Sequence, residues 1–263
     1  MKGLTSIIGM VVCFVAIIAG IVILGGEIMD FVNLPSVMLV IVPTIGAVVA
    51  SFPMSVLTKV PGHFKAMLGQ EYRPNEYIDK IVSLAEKARK EGLLTFEKEQ
   101  VDDQLMQYAL RMMVDGLDKF SVKFALEDTI NGIKERHIEA VAIYEKAAAY
   151  APAFGMCATV VSLVNMLMGL DFEDQAAIGR LGGNMSAALI TTLYGSMLAN
   201  IVFIPIASRL KLLHKREIFN KSLILTGLIA IQNGKSPTFI NELLCEQLNK
   251  EKQKKVKIAK RGE

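Results

Sequence analysis

Residues 181–207 read LGGNMSAALITTLYGSMLANIVFIPIA, and this stretch decides the fold because none of its 27 residues is Asp, Glu, Lys, Arg or His. A helix of about 20 apolar residues spans the hydrocarbon core of a bilayer, which is roughly 30 Å thick. Three further stretches are similarly long and uncharged: 4–24, 34–57 and 147–170. Helices buried in soluble proteins seldom remain uncharged for so long. The sequence therefore predicts an all-α integral membrane protein with four transmembrane helices.

The composition of the 263-residue chain agrees with this prediction. Hydrophobic residues make up 52% and charged residues 21%, against about 45–50% apolar and about 25% charged in a soluble domain. A secreted domain, a disordered chain and a plain cytosolic enzyme are excluded.

The basic residues predict the orientation of the helices. The link between the first two apolar stretches and the link between the last two contain only Arg180 of the 29 Lys and Arg residues. Because cytoplasmic loops carry the excess of Lys and Arg, both termini and the long insertion are predicted to be cytoplasmic. The predicted domains are transmembrane helices 1 and 2 in residues 1–57, a cytoplasmic helical domain in 58–146, transmembrane helices 3 and 4 in 147–207, and a cytoplasmic helical tail with a basic end in 208–263.

The charged segments have helical periodicity. Apolar residues at Tyr77, Ile81 and Leu84 lie one turn apart, and Gly92 is suited to end that helix. The same pattern predicts further helices at Leu105–Val114, at Phe120–Tyr144 running into the third span, from Arg209 to about Gln232, and at Phe239–Leu248. No strand is predicted anywhere in the chain. The basic run 250–261 is typical of a solvated end or of a contact with anionic lipid.

Motifs for catalysis or metal binding are missing from the sequence. Gly234-Lys235-Ser236 lacks a glycine at the spacing of a phosphate loop, and His63, His137 and His214 lack the companions of a metal motif. We predict that the protein is not an enzyme, has no cofactor or metal and binds no nucleic acid.

The four uncharged stretches also lack any titratable carboxylate, amine or imidazole. Proton and cation pathways normally have an ionisable group at membrane depth. Either the chain does not conduct ions, or a partner supplies the carboxylate.

Small and polar residues follow two adjacent stripes of the fourth span: Gly183, Ala187, Thr191, Gly195 and Ala199 on one, and Asn184, Ala188, Thr192, Ser196 and Asn200 on the other. Small residues let membrane helices approach closely, so this side is predicted to pack against other helices. A second interpretation is that the hydroxyls of Thr159, Thr191 and Thr192 line a polar path around a carboxylate from another protein.

Two prolines, Pro152 and Pro205, lie near the predicted cytoplasmic ends of the third and fourth spans. Each is interpreted either as a helix boundary or as a hinge between membrane and cytoplasmic parts.

Several motifs resemble the MotA/PomA family of flagellar stator subunits over nearly the whole chain. They are Ala88–Glu97 (ARKEGLLTFE), Glu135-Arg136-His137, Ala151–Gly155 (APAFG), Leu189–Gly195 (LITTLYG) and Phe203–Ala207 (FIPIA). The resemblance implies a motility and chemotaxis protein of the bacterial cytoplasmic membrane. It implies a homo-oligomeric ring of five around MotB-type partners, each with a membrane Asp and a peptidoglycan-binding domain.

The resemblance also implies roles for single residues. Arg89 and Glu97 would contact the rotor's switch protein, and Pro152 and Pro205 would couple the membrane and cytoplasmic parts. Thr192, with Thr159 and Thr191, would face the ion pathway.

The transported ion is a proton or sodium. Thr191-Thr192 followed by Leu193-Tyr194-Gly195 resembles the sodium-driven members, whereas Asn33 stands where those members often carry Asp. The alternative function is an ExbB/TolQ-like energy-coupling ring subunit, but that class is expected to have three spans. A membrane scaffold and a transporter acting alone are further alternatives.

Overall fold

The computed structural model describes residues 4–69, 73–169 and 175–248, and within them every regular element is helical. This confirms the all-α prediction. The α-helices are α1 (Leu4–Ile23), α2 (Leu34–Ser51), α3 (Met54–Leu57), α4 (Val60–Leu68), α5 (Pro74–Glu91), α6 (Gln104–Val114), α7 (Lys119–Met168), α8 (Gln175–Met197), α9 (Ile204–Gln232) and α10 (Pro237–Glu246). Short 3-10 helices occupy Ile28–Phe31 and Leu93–Lys98, and Leu198–Phe203 forms a π-helical segment.

Four helical stretches are long and apolar enough to cross a membrane, as predicted: Thr5–Ile23, Ile28–Ser51, Lys119–Met168 and Leu181–Gln232. Many of their apolar side chains are exposed, including Val12, Val42 and Val160. Exposed apolar surface of this kind is what contact with lipid tails requires.

The second span ends earlier than the sequence predicted. Helix α2 stops at Ser51, Phe52 is extended (φ −134°, ψ 143°), and Pro53 precedes the separate helix α3. The physical reason is that a proline disfavours helical geometry in the residue before it. The 18 residues of α2 still extend for about 27 Å at 1.5 Å per residue.

Neither proline at the predicted cytoplasmic ends marks a helix boundary, so that interpretation was wrong. Helix α7 continues through Pro152. Pro205 is the second residue of α9 and directly follows the π-helical segment. Since its ring crowds the carbonyl four residues earlier and it has no N–H to donate, a wider turn before it accommodates the proline without ending the helix.

The predicted helices of the charged segments are confirmed as α5, α6, the first half of α7, α9 and α10. Gly92 ends α5 in a positive-φ conformation (φ 84°), which glycine adopts without strain. The basic run 250–261 and the acidic link residues 171–174 lie outside the described residues.

The chain divides into two compact units, one of Met1–Glu71 with His137–Leu213 and one of Tyr72–Arg136 with His214–Glu263. The first unit has a core where α3 and α4 meet α7 and α9: Val56, Met67, Val141, Ile143, Tyr144, Ile206, Ala207 and Leu210. The second has a larger core, whose largest fully buried side chains are Phe96, Ile81, Leu84, Met106, Leu110, Leu126, Leu223, Ile224, Leu228, Ile240 and Leu244.

Candidate functional site

Helices α7 and α8 touch through two glycines in the first unit. A Cβ atom on Gly195 would lie 2.5 Å from the carbonyl oxygen of Ala151, and one on Gly155 would lie 3.1 Å from the carbonyl oxygen of Thr191. The distance at Gly195 leaves no room for a side chain, and the distance at Gly155 is shorter than an ordinary van der Waals contact. The two backbones therefore approach closely, as small residues allow.

This contact brings the three predicted threonines together. The Thr159 hydroxyl oxygen lies 2.6 Å from that of Thr192 and 3.0 Å from that of Thr191. The hydroxyl of Thr191 donates to the carbonyl of Ala188 at 2.7 Å, and Thr159 is within donating distance of the Gly155 carbonyl at 2.9 Å. The cluster is therefore a connected hydrogen-bond network that joins the third and fourth spans.

The three hydroxyls differ in exposure. Thr191 is fully buried at 0% exposure, Thr159 is half-buried, and Thr192 is exposed. Thr191 thus fills a contact within this chain, whereas the side chain of Thr192 stays exposed on the surface of the single chain.

The small-residue stripes of α8 and of the segment after it also contain both buried and exposed residues. On the first stripe Thr191, Gly195 and Ala199 are buried, whereas Gly183 is exposed. On the second, Ala188 alone is buried, and the polar members are exposed: Asn184, Thr192, Ser196 and Asn200. Packing within this chain therefore accounts for part of the first stripe and leaves the second one open.

The chemistry of the threonine cluster is that of neutral oxygen atoms. Hydroxyl and carbonyl oxygens can ligate a cation, and the hydroxyls can donate to a carboxylate, but neither group titrates in the physiological range. Within the described residues, no group of three or more His, Cys, Asp and Glu side chains is placed to hold a metal ion.

Asn33 and Tyr194 form a connection that the sequence analysis did not predict. The Asn33 side chain caps α2 by accepting from the Ser36 N–H at 2.9 Å. Its backbone N–H points to the Tyr194 hydroxyl at 3.3 Å, and that hydroxyl donates to the Phe31 carbonyl. The capping role is visible in sequence as an Asn before a helix, but the link to a tyrosine 161 positions away is not.

The predicted rotor-contacting residues lie on neighbouring elements of the second unit. Arg89 is exposed in the last turn of α5, and Glu97 is exposed in the 3-10 helix Leu93–Lys98. Phe96, only 1% exposed, anchors this short helix in the core. Among the described residues neither Arg89 nor Glu97 forms an ion pair, so both charges are available at the surface.

Glu99 fastens the chain that follows Glu97 and was missed by the sequence analysis. Its carboxylate pairs with Lys87 and, at 3.5 Å, with Lys80, both on α5. The hydrogen bond from Lys87 is the main cause that lowers the pKa of Glu99, and the attraction of both lysines acts in the same direction. Lys80, Lys87 and Glu99 are separated by 7, 12 and 19 residues, and no local sequence pattern indicates that they pair.

Asp103 ties α6 to α5 and α9 in the same unit. It caps α6 by accepting from the Leu105 N–H at 2.9 Å, and its carboxylate pairs with Lys221 at 2.7 Å. The Tyr77 hydroxyl lies 3.4 Å from the same carboxylate. Burial raises the pKa of Tyr77, and the nearby negative charge of Asp103 adds to the effect.

Comparison with known proteins identifies similar sequences over nearly the whole chain. Residues 7–92 match a family model described as motility protein A N-terminal, and residues 97–222 match the MotA/TolQ/ExbB proton channel family. The chain is 38% identical over 252 residues to the chemotaxis protein PomA of Vibrio alginolyticus, covering 95% of this chain and 96% of the relative. It is 36% identical to motility protein A of Treponema phagedenis, with 94% of each chain covered.

Solved structures with the same fold are also found. The flagellar MotAB stator complex from Bacillus subtilis contains a chain with a TM-score of 0.86 and 30% identity, covering 95% of this chain and 98% of that one. A chain of C. jejuni MotAB has the same TM-score at 21% identity, which is a similarity of fold alone.

Proposed function

Because this chain belongs to the MotA/TolQ/ExbB proton channel family, in its motility protein A branch, we propose that it is a flagellar motor stator subunit. Together with a MotB-type partner it conducts protons or sodium ions down their gradient and converts the flux into torque on the rotor. It is a channel subunit and not an enzyme. The full-length similarity to motility proteins and the four span-length helices favour this function over the ExbB/TolQ-like alternative.

The observation that carries the proposal is the uncharged threonine cluster. Thr159, Thr191 and Thr192 gather neutral oxygens between the stretches 147–170 and 181–207, which contain no Asp, Glu, Lys, Arg or His. A pathway built from them lacks a group that binds and releases an ion by changing charge. A partner helix with a membrane Asp supplies that group, and Thr192 is the exposed hydroxyl that meets it.

The driving force is electrostatic. An ion crossing the membrane contributes about 2.3 kcal/mol per charge per 100 mV. Its binding neutralises the partner's Asp and changes which polar face of the surrounding subunits that side chain prefers. The ring of subunits, five in our proposal, then advances around the partner.

The advance of the ring is transmitted to the rotor through the helices that leave the membrane. Pro152 and Pro205 lie within helical stretches that continue from the predicted spans into residues 58–146 and 208–263, which we place in the cytoplasm. Both prolines weaken helical hydrogen bonding locally and act as the coupling points. Arg89 and Glu97 deliver the motion by pairing with charges on the rotor's switch protein. The protein is a multi-pass subunit of the inner membrane, and both termini are assigned to its cytoplasmic side.

Reconstitution into vesicles tests the function. We expect ion current only when the chain is combined with a single-span partner that carries the membrane Asp, and no current with the chain alone or with an Asp→Asn partner. Exchange of sodium for potassium at fixed pH then identifies the ion, because a proton-driven current is unchanged and a sodium-driven one is lost. Current through the chain alone would contradict the proposal.

A further inference from the structure

A surface groove lies beside Glu97 in the second unit. It has a volume of about 720 Å³ and runs between the chain segment 96–102 and helix α6. The polar residues that line it include Glu97, Lys98 and Asp102 on one side and Gln107, Arg111 and Asp115 on the other.

The two walls of the groove are fastened to each other. The Gln107 side-chain oxygen accepts from the Val101 N–H at 3.1 Å, and its amide nitrogen donates to the Glu99 carbonyl at 3.4 Å. Buried Phe96 and the ion pairs of Glu99 hold the other wall against the core. The groove is therefore formed before any partner binds, which lowers the entropic cost of binding.

The α6 wall of the groove carries charged side chains that are not paired with other described residues. Gln107, Arg111 and Asp115 follow one another at intervals of four, so they share one face of the helix and its end. Arg111 and Asp115 are exposed, and neither forms an ion pair within residues 73–169 and 175–248. Glu99 differs, because its charge is already compensated by two lysines.

We propose that this groove extends the rotor-binding surface beyond Glu97 and that Arg111 is a further rotor-contacting residue. Its occupant is a charged segment of the rotor's switch protein, with an acidic side chain that meets Arg111 and a basic one that meets Glu97 or Asp115. This inference rests on the proposed stator function.

Two features favour a protein segment as the occupant. The rim residues Glu97, Lys98, Arg111 and Asp115 are exposed, whereas a small-molecule site encloses most of its ligand. The groove is also continuous with Glu97, so one partner surface can contact both. Arg111 has the planar guanidinium that pairs with a carboxylate through two hydrogen bonds.

The test compares Arg111→Glu with Lys123→Glu, which reverses another exposed charge, on α7 and outside the residues that line the groove. Lys123 pairs with Glu127, but an exposed pair of this kind contributes little to stability. A like-charge contact in an interface is unfavourable, so Arg111→Glu is expected to lower the number of fluorescently labelled stators at the motor about tenfold or more. Membrane level and ion conduction in cells without the switch protein should remain unchanged. Arg111→Lys should retain part of the rotation, and reversal of an acidic residue of the switch protein should restore Arg111→Glu.

The outcomes separate the groove from the stator function. If Arg111→Glu cells rotate as well as Lys123→Glu cells, the proposal that the groove binds the rotor is wrong. The proposed stator function still stands in that case if Arg89→Glu and Glu97→Lys stop rotation. If those two variants also rotate normally, the proposed rotor contact itself fails. Loss of conduction along with rotation also counts against the groove, since it indicates general damage. If Arg111→Glu lowers the membrane level, Arg111→Gln takes its place, with a smaller expected loss of motor-bound stators because it removes the charge without introducing repulsion.

Discussion

Single side chains in the threonine cluster have separable roles because their exposure differs. Thr191 is buried and donates to the Ala188 carbonyl, so it serves packing, whereas Thr192 is exposed and its hydroxyl contacts that of Thr159. The same hydroxyl chemistry thus supports the helix pair at one position and is open to a partner at the next.

Replacing Thr192 with valine tests this division. Thr192→Val keeps the shape and removes the hydroxyl, so we expect about a fivefold loss of ion current, which corresponds to one hydrogen bond of about 1 kcal/mol. Thr192→Ser should restore most of the current. The measurement is current in vesicles that contain the partner. A Thr192→Val protein with full current would remove the residue from the ion pathway.

Gly195 is the second residue whose role is set by space. Gly195→Ala would place a Cβ 2.5 Å from the Ala151 carbonyl oxygen, so α7 and α8 must separate at a cost of about 1–3 kcal/mol. We expect a lower melting temperature of the purified complex and a lower membrane level. Gly183→Ala is the matched control because nothing lies within 4 Å of its added Cβ. Equal melting temperatures for the two variants would contradict the close contact.

At the scale of elements, the 3-10 helix Leu93–Lys98 is held to the second unit at three points. Gly92 lets the chain turn after α5, Phe96 anchors the short helix, and Glu99 pairs back to α5. These three attachments fix the position of Glu97 although its own side chain has no ion pair among the described residues. A charged contact with a moving partner needs such support, since a mobile side chain loses entropy on binding.

The pairing of Glu99 predicts a pH-dependent contribution to stability. Its pKa is lowered in the folded protein, so the contribution is present above the ordinary pKa of a glutamate and is lost as pH falls through the lowered value. Glu99→Gln is expected to destabilise the complex by about 0.5–1 kcal/mol at pH 7, because both lysines are partly exposed. The difference in melting temperature from wild type should shrink below about pH 4.

The control for this prediction is Glu127→Gln, which removes the exposed pair with Lys123. We expect it to change the melting temperature less than Glu99→Gln does, because the Glu99 side chain is 15% exposed and that of Glu127 is 49% exposed. A Glu99→Gln difference that persists unchanged at low pH would assign the effect to packing instead of charge.

At the scale of the whole molecule, the chain is an incomplete channel. It provides four span-length helices, a neutral oxygen cluster and an exposed polar stripe with Thr192, Ser196 and Asn200. The stretches 4–24, 34–57, 147–170 and 181–207 contain no Asp, Glu, Lys, Arg or His. Exposed polar atoms in a membrane are costly unless another chain or water meets them. The surface of the membrane helices therefore points to assembly with other subunits in the same way as the missing carboxylate does.

The helical class, the number of spans and most helix positions follow from the order of the residues alone, because length, charge and periodicity are local properties that set how each segment partitions between water and lipid. Residue type and family resemblance also indicated Thr159, Thr191 and Thr192 as candidates. The folded chain was needed to show that Gly155 and Gly195 bring these hydroxyls within hydrogen-bonding distance and that Thr192 stays exposed. It alone showed that Glu99 reaches two lysines and that Arg111 shares a groove with Glu97. Contacts between residues 12 to 161 positions apart depend on how helices pack, and packing is set by many distant side chains together.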